Sequence, residues 1–297
     1  MTVRPFLKWA GGKQWLTRVF DFEVPHGWRY VEPFLGGGAL FFHVRPQLAL
    51  LTDFNPELIN LYQVIRDYPE NFQFRMEKHQ AYHSEIFYYE MRDCEYENPI
   101  DKAARFLYLN RTCWNGLYRV NKFGKFNVPK GTKTSVVFSG ESFLEYSDAL
   151  RGAKIHRSDF EATFENCGTH DFIFADPPYT VKHNMNGFVR YNERIFSWSD
   201  QERLLESIRG AVDRGSVVIV ANADHPSIHE IYGGECRIVR VGRHSVLSGK
   251  NEHRRKITEC LYVFGEHNCP DVASIVQSVG DENSNAASHS VGLDSSV

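Results

Sequence analysis

Apolar residues in this chain fall into short runs separated by turn-forming residues. Phe172-Ile173-Phe174-Ala175 is bounded by Asp171 on one side and by Pro177-Pro178 on the other. An unbroken run of that length predicts a buried strand. The prolines fix φ and carry no N–H, so the chain is expected to leave the strand as a stiff, extended loop. Similar runs predict strands at Trp28–Val31, Leu48–Leu51 and Val217–Ala221, and Cys236–Val241 with Ile257–Phe264 reads as a hairpin at a sheet edge. Leu204, Leu205, Ile208 and Val212 recur at helical spacing up to Gly215, behind Ser199-Asp200-Gln201-Glu202, which reads as a capping box. A helix feeding the strand at Val217 is the strand–helix–strand unit of an α/β fold.

This rhythm covers residues 1–65 and 150–264 and breaks at 66–149. Asn71–Asp93 is charged, aromatic-rich and expected to be helical, and a basic segment follows it. Residues 66–149 therefore read as an inserted, mainly helical lobe. From Gly265 to Val297 the chain is rich in Ser, Asn and Gly with few large apolar residues, so a disordered tail is expected over 265–297. His79 and His83 stand four apart, but no third ligand lies near in sequence. They are expected to be a surface pair on a helix and not a metal site.

A chain of 297 residues can hold one large domain or a core with an inserted lobe. Its net charge of −3 excludes a general polycation, so a nucleic-acid surface must come from local segregation of charge. Between Lys102 and Lys133 stand eight cations and no acid, interleaved with Phe106, Tyr108, Trp114, Tyr118, Phe123 and Phe126. A second basic stretch runs from Arg237 to Lys256. Cations among aromatic rings suit a surface that tracks phosphates and contacts bases. The six cysteines show no CxxC pair and are expected to be free thiols, with no zinc site. With no signal peptide and no membrane-length apolar run in view, a cytoplasmic protein is expected.

Candidate chemistry lies at the strand ends. Gly36-Gly37-Gly38 follows the first predicted strand, where glycines let a ligand approach the backbone. Asp53 ends the second, the place of a ribose-binding acid, although it could also cap the helix beginning at Pro56. Asp176-Pro177-Pro178-Tyr179 holds a carboxylate, a carbonyl and a ring in one rigid loop. That constellation suits gripping a planar base by its amino group while stacking on its face.

With FLKWAGGK, VEPFLGGGALF, TDFNPELINLY, LYLNRTCWNGLYRVNKFGKFNVP and ADPPY in this order, the chain resembles the Dam-like family of DNA adenine-N6 methyltransferases over residues 5–263. The resemblance implies a Rossmann-like α/β core that uses S-adenosylmethionine (SAM), with the lobe reading double-stranded DNA. It assigns SAM contacts to Trp9, Lys13, Asp53 and Asp176, beside the Gly36–Gly38 turn. It gives Asp176, Pro177 and Tyr179 the catalytic work. On Asn115-Gly116-Leu117-Tyr118-Arg119 it makes Arg119 a guanine-edge reader and Leu117 an apolar contact. Trp114 is the duplex wedge, where the family often has Tyr. Lys122 and Lys125 are expected on phosphate, and a GATC-type site is implied. The alternatives are a cytosine-N4 enzyme, whose class more often carries Ser in place of Asp176, and a catalytically silent DNA-binding protein. A separate cognate restriction endonuclease is an expected partner only if the enzyme serves a restriction-modification pair.

Overall fold

Strand β4 (Asp171–Ala175) is buried at every position, as its unbroken apolar run requires. The computed structural model describes residues 4–18, 24–116, 118–121, 123–180, 196–244 and 256–269, and of residues 243, 244, 256 and 257 the backbone alone. The fold is mixed α/β with a seven-stranded, mostly parallel sheet. Two compact units divide the chain, one holding residues 1–17 and 34–159, the other 18–33 and 160–297.

In the first unit, α1 (Ala39–Val44) precedes β2 (Ala49–Asp53), which pairs in parallel with β3 (Ala153–Arg157). β3 buries only Ala153 and Ile155, so its AKIHR sequence lacks the apolar run by which the other strands were expected. α2 (Pro56–Asp67) is capped by Asn55, whose side chain accepts the N–H groups of Glu57 and Leu58. Asp53 is thereby relieved of the capping role. The predicted helical stretch is two helices, α3 (Pro69–Tyr82) and α4 (Glu85–Asp93), followed by α5 (Pro99–Thr112) and α6 (Phe143–Leu150). α5 buries Phe106 through Thr112 without a break and forms the spine of this region. The surface placement expected for the His pair does not hold. His79 lies against Phe87 and Tyr108, and His83 Nδ1 is 2.9 Å from the Tyr108 hydroxyl.

The second unit holds β1 (Arg29–Glu32), α7 (Phe160–Glu165), β4, α8 (Trp198–Asp213), β5 (Val217–Ala223), α9 (Pro226–Tyr232), β6 (Arg237–His244) and β7 (Lys256–Phe264). β1, β4 and β5 pair in parallel, and the predicted hairpin strands follow, with β7 antiparallel to both β5 and β6. Arg29 clamps Asp171 through two hydrogen bonds of 2.8 and 2.7 Å, fixing β1 against the start of β4. The capping box of α8 lies two residues earlier than expected. Ser197 is the cap, its hydroxyl accepting the Asp200 N–H while the Asp200 carboxylate accepts the Ser197 N–H. Gly265–Cys269, grouped with the tail by composition, is packed. Asn268 donates to the Val212 and Ser216 carbonyls, Glu266 pairs with Arg237, and Cys269 is buried. The rest of the expected tail, 270–297, lies outside the described residues.

Candidate active site and nucleic-acid interface

In the first unit the glycine turn and the strand-end acid form one structure. The Gly36 N–H donates to Asp53 Oδ2 at 3.0 Å, and the Asn55 N–H donates to Asp53 Oδ1 at 2.9 Å. Burial pushes the Asp53 carboxyl above its usual range, against the opposing pull of the Asn55, Gly36 and Phe54 N–H groups. A carboxylate offers about four acceptor positions, so a fourth hydrogen bond can still be accepted.

Gly36 and Gly38 both have positive φ, 47° and 59°. Their open faces are filled by the protein's own side chains, where the sequence suggested a cofactor lying against the backbone. A Cβ on Gly36 would stand 2.8 Å from Trp9 Cδ1, and one on Gly38 would stand 2.8 Å from the Tyr62 hydroxyl. The Tyr62 hydroxyl donates to the Gly36 carbonyl at 3.1 Å, which closes the turn from the α2 side. Trp9 is half-buried between this turn and Tyr118, whose ring stacks on the indole at 5.6 Å and 21°. Lys13 is buried, and its ammonium donates to the Gly11 carbonyl at 2.9 Å.

The basic segment folds back on itself. Trp114 N–H donates to the Pro129 carbonyl and Gly131 N–H to the Thr112 carbonyl, while Asn121 and Lys125 close the far turn. Trp114 projects with 55 % of its surface exposed, and Asn115 stands beside it with φ 57°. Arg119 is exposed and uses Nε to hold Asn127 at 3.1 Å. Lys125 faces Glu95 at 3.2 Å in an exposed pair. Such a pair is worth little in water, and a phosphate can replace the acid. Leu117 and Lys122 lie outside the described residues.

Two cations counted with this surface are structural. Arg105 donates to the Met91 and Arg92 carbonyls. Arg111 is buried, bonding the Phe6 and Val136 carbonyls and pairing with Glu141. Of the second basic stretch, Arg237 is paired with Glu266, and Lys250, Arg254 and Arg255 lie outside the described residues.

In the second unit, the loop after β4 carries Asp176 half-buried, Pro177 buried and Tyr179 half-buried. The Tyr179 hydroxyl donates to Glu259 Oε2 at 2.5 Å. Thr180 is buried and its hydroxyl donates to the Phe196 carbonyl at 2.5 Å, bridging the two residues that flank 181–195. The loop is therefore held at the strand, at its aromatic ring and at its last described residue.

The model of the D12 class N6 adenine-specific DNA methyltransferases matches residues 9–246, a span from Trp9 through the glycine turn, the basic segment and the Asp-Pro-Pro-Tyr loop. This chain belongs to that family. A D12 enzyme acts on the exocyclic amine of adenine, so the cytosine-N4 alternative falls away. Among similar proteins, a type II methyltransferase of Lactococcus lactis subsp. cremoris, M1.LlaDCHI, is 35 % identical over 271 residues, covering 88 % of this chain and 95 % of its own. The DNA adenine methylase of Vibrio cholerae is 30 % identical over 271 residues, covering 89 % and 97 %. The DNA adenine methylase of Escherichia coli K12 is 29 % identical over 273 residues, covering 88 % and 95 %.

Two residues of this D12 methyltransferase were not singled out from the sequence, namely Tyr62 and Glu259, and Tyr118, named there only among the rings of the basic segment, stacks on Trp9. The one legible signal was Glu259, an acid in mid-strand directly before the apolar run Cys260–Phe264. Elsewhere in the unit, Asp224, His229 and Cys260 place potential ligand atoms within 4.8 Å of one another. Asp224 Oδ1 is 2.7 Å from His229 Nε2 and 3.6 Å from Arg240 Nε, so side chains of the protein already meet it. Among the described residues no helix is long and apolar enough to cross a membrane.

Proposed function

We propose that this enzyme transfers a methyl group from SAM to N6 of an adenine flipped out of duplex DNA at a GATC-type site. The observation that carries the reading is the rigidly held Asp176-Pro177-Pro178-Tyr179 loop in a chain of the adenine-specific family. Adenine N6 is a weak nucleophile because its lone pair is delocalised into the ring, and it is inaccessible inside a duplex. The Asp176 carboxylate and the Pro177 carbonyl each accept one N6 hydrogen, drawing the nitrogen toward tetrahedral geometry. Tyr179 stacks on the ring and replaces the base's lost neighbours. Asp176 stabilises the positive charge that develops on N6, and the proton leaves after attack.

SAM, when bound, supplies a methyl group activated by its sulfonium. The residues present suit it. Asp53 retains an acceptor position for a ribose hydroxyl, Lys13 brings a buried cation suited to the amino-acid carboxylate, and Trp9 presents an indole beside the glycine turn. In-line positioning of donor and amine is the main catalytic contribution.

Residues 66–149 serve as the target-recognition lobe around a core of 1–65 and 150–264. Arg119 reads a guanine edge, Asn115 and Leu117 meet base edges, Trp114 wedges into the gap left by the flipped base, and Lys122 and Lys125 track phosphate. The enzyme works in the cytoplasm on chromosomal DNA, alone or beside a separately acting restriction endonuclease. Sequencing that maps N6-methyladenine in DNA from expressing cells tests the target. Methylation confined to GATC supports the proposed site, and a different motif replaces it.

A further inference from the structure

We infer that Glu259 is a positioning residue for base capture, acting through the Tyr179 hydroxyl. The inference rests on the reading that the Tyr179 ring stacks on the flipped adenine. Glu259 lies in the middle of β7, opposite Ala223 of β5 and Val241 of β6, so its backbone is fixed on both sides. The neighbouring Cys260, Leu261, Tyr262 and Val263 are all buried, and Glu259 itself is only 4 % exposed. A carboxylate in such a place is costly unless it is hydrogen-bonded. Its Oε2 accepts the Tyr179 hydroxyl at 2.5 Å, from a residue three positions beyond Asp176.

This bond does two things for a stacking ring. First, it fixes the ring from the far end of the phenol, where the proline-stiffened backbone alone would let the side chain turn. Second, a carboxylate acceptor draws the hydroxyl proton and enriches the ring, whose negative face then favours the cationic character that N6 acquires. Charge-assisted bonds of this kind are about twice as strong as neutral ones, so the ring is held while the base arrives and leaves.

The test is single-turnover methylation by the full chain, with saturating SAM and DNA, for Y179F, E259Q, their combination and Y179A. A rate constant reports positioning, whereas a misfolded fraction lowers only the amplitude. E259Q and Y179F are each expected to slow transfer about tenfold at near-normal amplitude, and the double variant to be no slower than either single one. Multiplying losses in the double variant, or unchanged rate constants in both singles, would overturn the inference. Should E259Q fail to fold, Y179F breaks the same bond from its half-buried end and decides alone. Y179A separates the underlying reading. If it leaves the rate intact, stacking itself is wrong. If it is slow while Y179F and E259Q are normal, stacking stands and the role of Glu259 falls.

Discussion

The Gly36 N–H donates to Asp53 Oδ2 at 3.0 Å, so the glycine turn and the acid at the end of β2 are one unit. The carboxylate orients the turn, and the turn's amide keeps the acid ionisable in spite of burial. Asp53→Ala removes both this brace and the proposed ribose contact. A lost charge-assisted hydrogen bond costs about 1.5–3 kcal/mol, which is roughly a ten- to hundred-fold weakening of SAM binding. Calorimetry should show this with a smaller change in DNA affinity, and unchanged SAM affinity removes Asp53 from the site.

Gly36→Ala addresses the other side of the turn. The added Cβ would stand 2.8 Å from the Trp9 indole at a φ of +47°, a conformation that side chains rarely adopt. Trp9 must move, and with it the stacked Tyr118 of the basic segment. Overpacking of this kind costs about 1–3 kcal/mol. A lower melting temperature, altered tryptophan fluorescence and losses in both SAM and DNA binding are expected. Loss of SAM binding with normal DNA binding would show that the Trp9–Tyr118 stack does not couple the two.

Arg119 and Lys125 are both exposed cations of one segment and should behave differently. Arg119→Ala is expected to cost roughly 1–3 kcal/mol on the cognate site and to relax discrimination at one base pair. Lys125→Ala should weaken binding to all sequences alike and reduce the salt slope by about one unit. Methylation rates on a panel of singly substituted sites distinguish them. A uniform loss for Arg119→Ala assigns that side chain to the DNA backbone.

Much of this arrangement was legible in the chain because buried strands write themselves as short apolar runs. β3 was not, since a strand with only Ala153 and Ile155 facing inward carries almost no pattern. The start of α8 was misplaced by two residues because Ser197 and Ser199 both precede an acid three positions on, and local sequence does not choose between them. The Asp-Pro-Pro-Tyr and glycine motifs were plain, whereas the side chains that brace them and Trp9, Glu259, Tyr62 and Tyr118, come from distant segments. Charge counting likewise could not show that Arg105 and Arg111 turn inward, because that depends on which carbonyls α5 meets.

His79 gives the fold a pH dependence. Burial among Phe87 and Tyr108 depresses its pKa from 6.5 to about 4, with Asp101 opposing and Arg75 assisting. The unfolded chain therefore takes up this proton near pH 6.5 while the folded chain does not. The associated stability is full above pH 6.5 and is lost as the pH falls toward 4, on the order of 2–3 kcal/mol at most. His79→Gln should flatten the acid limb of melting temperature against pH in that window. Parallel curves for the two proteins would exclude His79 as the cause.

Asp176 is expected to be required for transfer of a methyl group from SAM to adenine N6. Purified protein with methyl-labelled SAM and duplex genomic DNA, followed by nucleoside analysis, measures it directly. The expected product is N6-methyladenosine of the deoxy series, with no labelled cytosine, and Asp176→Ala should reduce it below a few per cent while melting normally. Label in N4-methylcytosine, or substantial N6 methylation by the Asp176→Ala protein, would contradict the account.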